Sequence, residues 1–237
     1  MSPPRSSFQA TQWTLVLAAA GDGSAAHRAL ATLCECYWDP LYAFGRRSGQ
    51  SPEDAEDAVQ GFFADLLERQ AITRVDRSKG RFRSFLLASF KNFLSHERAR
   101  LQAEKRGGKC TFIELDAHDA EQRYALEPAD HLTPDKLYDR RWARVLLERA
   151  HQRLAEEYEE ADKRTLFTRL RPVLGVSRAE MDYAQIASEL GMSPGAVKVA
   201  AHRMRERHRA ILREEVGATV DSPGEIDAEL RHLIEAL

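Results

Sequence analysis

No apolar run in this sequence approaches the roughly 20 residues a membrane-spanning helix needs; the longest near the start is Leu15 to Ala20. That stretch also lacks the basic flank and cleavage pattern of a secretory leader, so a cytoplasmic protein with no membrane association is expected. Cysteine is scarce: three residues, Cys34, Cys36 and Cys110, an odd number that excludes a disulfide framework. Cys34-x-Cys36 with His27 upstream has the wrong spacing for a zinc finger, and no second pair follows, so buried thiols are expected and no metal. β-branched runs are few, which speaks against a sheet. There is no phosphate-cradling glycine loop beyond the weak Gly107-Gly108, no paired set of metal ligands and no nucleophile elbow, so neither an enzyme nor a cofactor is expected.

What the chain does have is segregated charge. The net charge of −2 says little, but from Ser51 to Glu68 there are six acids and no bases. From Lys79 to Lys109 nine bases face only Glu97 and Glu104, and from Glu114 to Asp130 acids dominate again. From Lys198 to Arg213 six bases stand against Glu206 alone. Mixed charge is the mark of solvated helix faces; two basic blocks set apart by acidic ones suggest two nucleic-acid surfaces.

Four places share a helix-start signature: Ser51-Pro52, Thr133-Pro134, Ser193-Pro194 and Ser222-Pro223. The hydroxyl can accept from a free amide, and proline at the first helical position gives up an N–H that would have had no partner. Ser222 with Glu225 forms the pattern of a capping box, and Ser51 with Asp54 approximates one. After Ser51, the residues Ala55, Ala58, Val59, Phe62, Phe63, Leu66 and Leu67 follow helical spacing, leaving the acids on the other face. A second helix is expected from about Arg81 to Ala103, packing Phe82, Phe85, Leu86, Phe90, Phe93 and Leu94. Trp13 to Ala20 and Ala25 to Arg47 are also helical in pattern. From Lys105 to about His131 the helical period is lost, so a linker is expected there, with at most a short ordered piece at Thr111 to Leu115. Helices resume over Leu137 to Tyr158 and Thr165 to Leu174, and the tail carries an amphipathic stripe of Ile226, Leu230, Leu233 and Ile234.

Residues 183–213 read as a helix-turn-helix. Tyr183, Ile186, Ala187 and Leu190 make a short apolar stripe, and Gly191-Met192-Ser193 supplies the turn and the next cap. In the second helix Val197, Ala200, Ala201, Met204, His208, Ile211 and Leu212 share one side, while Lys198, Val199, His202, Arg205 and Arg209 occupy the other with Arg203 at its edge. Base contacts come from the first turns of a recognition helix, which selects Lys198, Val199, His202 and Arg203. Arg205, Arg207 and Arg209 are expected on phosphates.

Two stretches carry a resemblance over nearly the full length to bacterial RNA polymerase sigma factors of the extracytoplasmic function (ECF) type. Glu53-Asp-Ala-Glu-Asp57 and Val59-Gln60-Gly-Phe-Phe63, continuing into Arg81-Phe-Arg-Ser-Phe-Leu-Leu87 and Lys91-Asn92, resemble sigma region two, with Phe85 where tryptophan is common. Tyr183-Ala-Gln-Ile-Ala187, Leu190-Gly191, Ser193, Gly195-Ala-Val-Lys198 and His202-Arg203 resemble the region-four helix-turn-helix. The resemblance implies an all-α protein of two helical domains on a flexible linker: 1–104 for polymerase docking and the −10 element, 105–134 as acidic linker, 135–216 for the −35 element, and a tail at 217–237. It implies core RNA polymerase as partner, held by Glu53, Asp54, Glu56, Asp57, Gln60 and Asp65. It implies promoter DNA as the second partner, duplex at the −35 element and melted strand at the −10 element. The latter would be met by Arg81, Arg83, Lys91, Asn92, His96, Arg98 and Arg100, with Asn92 beside a pocket for an unstacked base. The acidic linker would thread toward the polymerase cleft. A monomer is expected when free of polymerase. Such factors are often held by an anti-sigma partner, though no residue here names one. The competing reading is a helix-turn-helix regulator that binds DNA without docking on polymerase.

Overall fold

A computed structural model describes residues 24–68, 81–103, 117–126, 132–175, 181–220 and 222–237. Among these residues the secondary structure is helical, with no strand. Helix α1 is Ser24–Arg47, α2 Pro52–Glu68, α3 Phe82–Ala103, α4 Ala117–Ala125 and α5 Pro134–Glu160. They are followed by α6 Arg164–Leu170, α7 Tyr183–Leu190, α8 Pro194–Gly217 and α9 Ile226–Ala236, with short 3-10 turns at Arg171–Leu174 and Pro223–Glu225. Two compact units result: residues 1–144 with 217–237, and residues 145–216. The tail thus belongs with the N-terminal helices, as does the first part of α5. The sequence-based division placed these segments elsewhere.

The first unit is organised by aromatic rings. Phe62 of α2 meets Phe90 of α3 at 5.2 Å and Phe93 at 5.8 Å, both edge-on. Phe63 stacks on Trp38 of α1, and Tyr37 meets Phe82 edge-on. Apart from Phe93, these rings are almost fully buried, each worth roughly 1.5–3 kcal/mol in burial. Gly61 lets α2 and α3 come close: a Cβ there would lie 3.2 Å from the Phe93 ring. Of the expected core stripe of α2, Ala55, Val59, Phe62, Phe63 and Leu66 are buried, Ala58 is half-buried and the Leu67 side chain lies outside the described residues; Ser51 caps the helix by accepting from the Asp54 amide at 3.0 Å.

The expected unstructured linker is corrected over Ala117–Ala125. This segment is helical and anchored within its unit. Glu121 accepts from Tyr42 Oη at 2.6 Å and from Arg46 Nε and Nη2 at 2.8 and 2.9 Å, while the Arg46 guanidinium lies 5.0 Å from the Tyr124 ring. The salt bridge holds the Glu121 carboxyl below its ordinary range. Arg141 donates to the Arg123 carbonyl at 2.7 Å. Partners distant in sequence supply this order, which is why helical period alone missed it. The expected pieces at Trp13 to Ala20, Thr111 to Leu115 and Lys105 to Lys109 lie outside the described residues.

The second unit packs α5, α6, α7 and α8 around Ala150, Leu154, Leu170, Ala187, Val197, Ala201, Met204 and Ile211. Asp182 caps α7, accepting from the amides of Ala184 and Gln185 at 3.0 Å each. Gly191 ends α7 at φ 63°, ψ 29°, the left-handed conformation glycine adopts without a Cβ penalty. Ser193 then caps α8, accepting from the Ala196 amide at 3.2 Å. The capping box expected at Ser222 does not form: its hydroxyl donates to the Glu225 carboxylate at 3.2 Å, and a 3-10 turn precedes α9.

No described helix is long and apolar enough to cross a membrane. Cys34 and Cys36 are buried and unbridged, and burial, with the Glu35 charge and Cys36 adding to it, pushes the Cys34 thiol up to about 12. A thiol raised this far is protonated at neutral pH.

Candidate nucleic-acid interfaces

In the helix-turn-helix, helical geometry divides α8 into two faces. Val197, Ala201, Met204, His208 and Ile211 are buried. The face that begins at Ser193, Gly195 and Ala196 and continues through Lys198, Val199, His202 and Arg203 is exposed. Val199 is 50% exposed, an apolar β-branched side chain with no cover of its own. The first turn of α8 carries no acid, so its unpaired amides and dipole present positive potential on the same side. The Lys198 Nζ lies 6.0 Å from the Tyr183 ring centroid. Lys198, Val199, His202 and Arg203 therefore form one contiguous surface with donors for guanine acceptors and a methyl contact for thymine.

The remaining basic residues of α8 are engaged within the protein. Arg205 is half-buried: Nε donates to the Val173 carbonyl at 3.3 Å and Nη2 to Tyr183 Oη at 3.5 Å. It thereby links α8 to the 3-10 turn and to α7. Arg207 pairs with Glu157 and Glu214 and keeps about two-fifths of its side chain exposed. Arg209 is exposed and pairs with Glu206 at 2.6 Å; such a surface pair is worth little and leaves the guanidinium reachable.

Behind this face the rings of His151 and His208 stack at 4.6 Å, 16° from parallel. Burial, and then the neighbouring His151, lower the His208 pKa to about 4. Burial also lowers His151, with the Arg171 charge adding to it. Both rings are neutral at neutral pH, as an apolar seam requires.

The basic helix α3 is less uniform than its charge count suggests. Asn92 and His96 are exposed one turn apart on one face. Lys91 is partly exposed, pairs with Asp135 and lies 5.4 Å from the Phe44 ring centroid. Arg81 lies 2.8 Å from Glu229. Arg83 is closed to solvent while the tail is seated: it is 5% exposed, its Nε donates to Glu229 Oε1 at 2.5 Å, its Nη1 donates to Asp139, and its guanidinium lies 5.0 Å from the Trp142 ring. The cause is the tail, whose α9 brings a fully buried Glu229 to it. Nothing in the local sequence of α3 could have indicated that. The side chains of Arg98 and Arg100 lie outside the described residues.

On α2 the acids point away from the core. Glu53, Asp54 and Asp57 are exposed; Glu56, Gln60 and Asp65 are half-exposed, and Gln60 donates to Glu56 at 3.1 Å. The result is an acidic ridge above a fully apolar seat, fit to meet a basic partner. No family model matches the chain, and no curated protein or solved structure was found to resemble it.

Proposed function

We propose that this protein is a sigma factor of the ECF type, which binds core RNA polymerase, recognises the −10 and −35 promoter elements and promotes DNA opening. The observation that carries the reading is the exposed face of α8. A glycine-turned, serine-capped helix presents Lys198, Val199, His202 and Arg203 at its N-terminal end, while Arg205 and Arg207 tie it to its neighbours. That arrangement suits major-groove reading.

Two further features favour a sigma factor over a stand-alone regulator. The acidic ridge of α2 supplies a docking surface for a basic partner, and electrostatic complementarity of this kind sets orientation and association rate. The exposed Asn92 and His96 on α3 offer polar edges to a base drawn out of a melted duplex. In this reading the protein carries no catalytic centre and works without a cofactor. It acts in the cytoplasm, off the membrane, as a monomer until it meets polymerase, and an anti-sigma protein is a fitting regulator.

The test is affinity capture with the full chain from a bacterial extract, alongside a gel shift on duplex DNA at low salt. Capture of the polymerase subunits together with duplex retention supports the reading. Duplex retention without polymerase replaces it with the helix-turn-helix regulator, and loss of both removes it.

A further inference from the structure

Glu229 occupies a position that should be apolar. The stripe of α9 runs Ile226, Glu229, Leu230, Leu233, at the spacing that faces a core, and Glu229 and Leu233 are 0% and 1% exposed. A carboxylate in such a place is costly unless opposite charges meet it. Here two do. Its oxygens face two different guanidinium groups, Arg83 Nε at 2.5 Å and Arg81 Nε at 2.8 Å. The two arginines are two positions apart in sequence, with Phe82 between them, at the start of the basic helix. Convergence of two guanidinium groups on one oxyanion is how proteins hold a phosphate.

The site is also built to exchange. The Arg81 side chain is 32% exposed, so the network opens to solvent on that side. Arg83 keeps Asp139 as a partner when Glu229 leaves, and Asp139 also lies 3.2 Å from His232 of the tail. The helix that delivers Glu229 is only 11 residues long; Ile234 within it and Leu237 just after it are 68% and 43% exposed, so little apolar surface holds its far end.

We propose that Arg81 and Arg83 form an anion site for the backbone phosphate of single-stranded DNA, and that Glu229 of α9 occupies it as an internal competitor. The proposal rests on reading α3 as the helix that meets the melted strand. The tail then regulates that surface: strand binding requires α9 to withdraw, and the seated tail keeps the chain from retaining single strands on its own.

The experiment uses the full chain and a fluorescent AT-rich single strand, read by anisotropy over a range of salt. Glu229→Gln should bind at least about fivefold tighter than the parent, with a salt slope steeper by about 1–2 as phosphates replace the carboxylate. Adding Arg81→Gln should abolish the gain. In the parent protein, saturation with the strand should accelerate amide exchange across residues 226–236. A folded Glu229→Gln that binds no tighter, a gain that survives Arg81→Gln, or tail exchange that is unchanged or slowed each overturns the proposal. Where Glu229→Gln fails to fold, the exchange measurement on the parent decides. Duplex retention by α8 with an unresponsive tail removes this proposal alone; loss of both single-strand and duplex binding removes it together with the functional reading.

Discussion

Arg207 of α8 donates to both oxygens of Glu157 on α5, at 2.8 and 2.5 Å, which ties its guanidinium to α5 one turn beyond Arg203. Glu214, which also accepts from Arg207, receives Arg153 at 2.7 Å, and Arg153 and Arg149 both donate to Glu215. The hydrogen bond from Arg207 is the main reason the Glu157 carboxyl sits below its ordinary range. Arg207→Ala should leave the salt slope of duplex binding unchanged while destabilising the protein. Because both partners are about two-fifths exposed, the loss should stay near or below 1 kcal/mol, read by thermal unfolding. A drop of about 1 in the salt slope would return Arg207 to phosphate contact.

The stacked histidines make stability depend on pH. His208 titrates near 6.5 when unfolded and near 4 when folded, so between those values the unfolded chain binds more protons. Stability should therefore fall as pH drops from about 6.5 toward 4, by on the order of 3 kcal/mol in total. The Glu157 pair is lost only lower, as pH falls below the ordinary carboxyl value of 4.5. Denaturant titrations at several pH values check this. His208→Leu should flatten the upper part of the slope.

Duplex recognition should divide α8 in two. Lys198→Ala and Arg203→Ala should each cost about 1–3 kcal/mol on a preferred duplex and relax its base preference, with little change in stability. Arg205→Ala should do the reverse, lowering the unfolding midpoint through loss of the Val173 and Tyr183 contacts. Competition gel shifts and thermal unfolding separate the two groups.

In the first unit, Arg83→Ala leaves Glu229 and Asp139 without a buried partner and should cost about 3–5 kcal/mol, measured by urea unfolding. A loss under about 1 kcal/mol would show that Arg83 is far less buried in solution than its 5% exposure.

How much of this was legible in the sequence follows from the range of each interaction. The buried faces of α2 and α8, the Gly191 turn and the Ser51, Thr133 and Ser193 caps arise from residues within a turn or two of one another, so spacing alone revealed them. The roles of Arg83, Arg205 and Arg207 depend on Glu229, Val173 and Glu157, which lie 146, 32 and 50 positions away. A count of bases cannot tell an arginine open to solvent from one paired within the protein. Ala117–Ala125 was missed for the same reason: its anchor, Glu121, reaches Tyr42 and Arg46 across 79 and 75 positions. The positions that need no distant partner, Lys198, Val199, His202 and Arg203, were the ones spacing could select.

The most direct measurement is run-off transcription with purified core RNA polymerase, on templates selected by this protein's own binding. The account predicts a discrete transcript that appears only when the protein is added and fades when Lys198 and Arg203 are both changed to alanine. The same transcripts from core polymerase alone, or no initiation with the protein present, would contradict it.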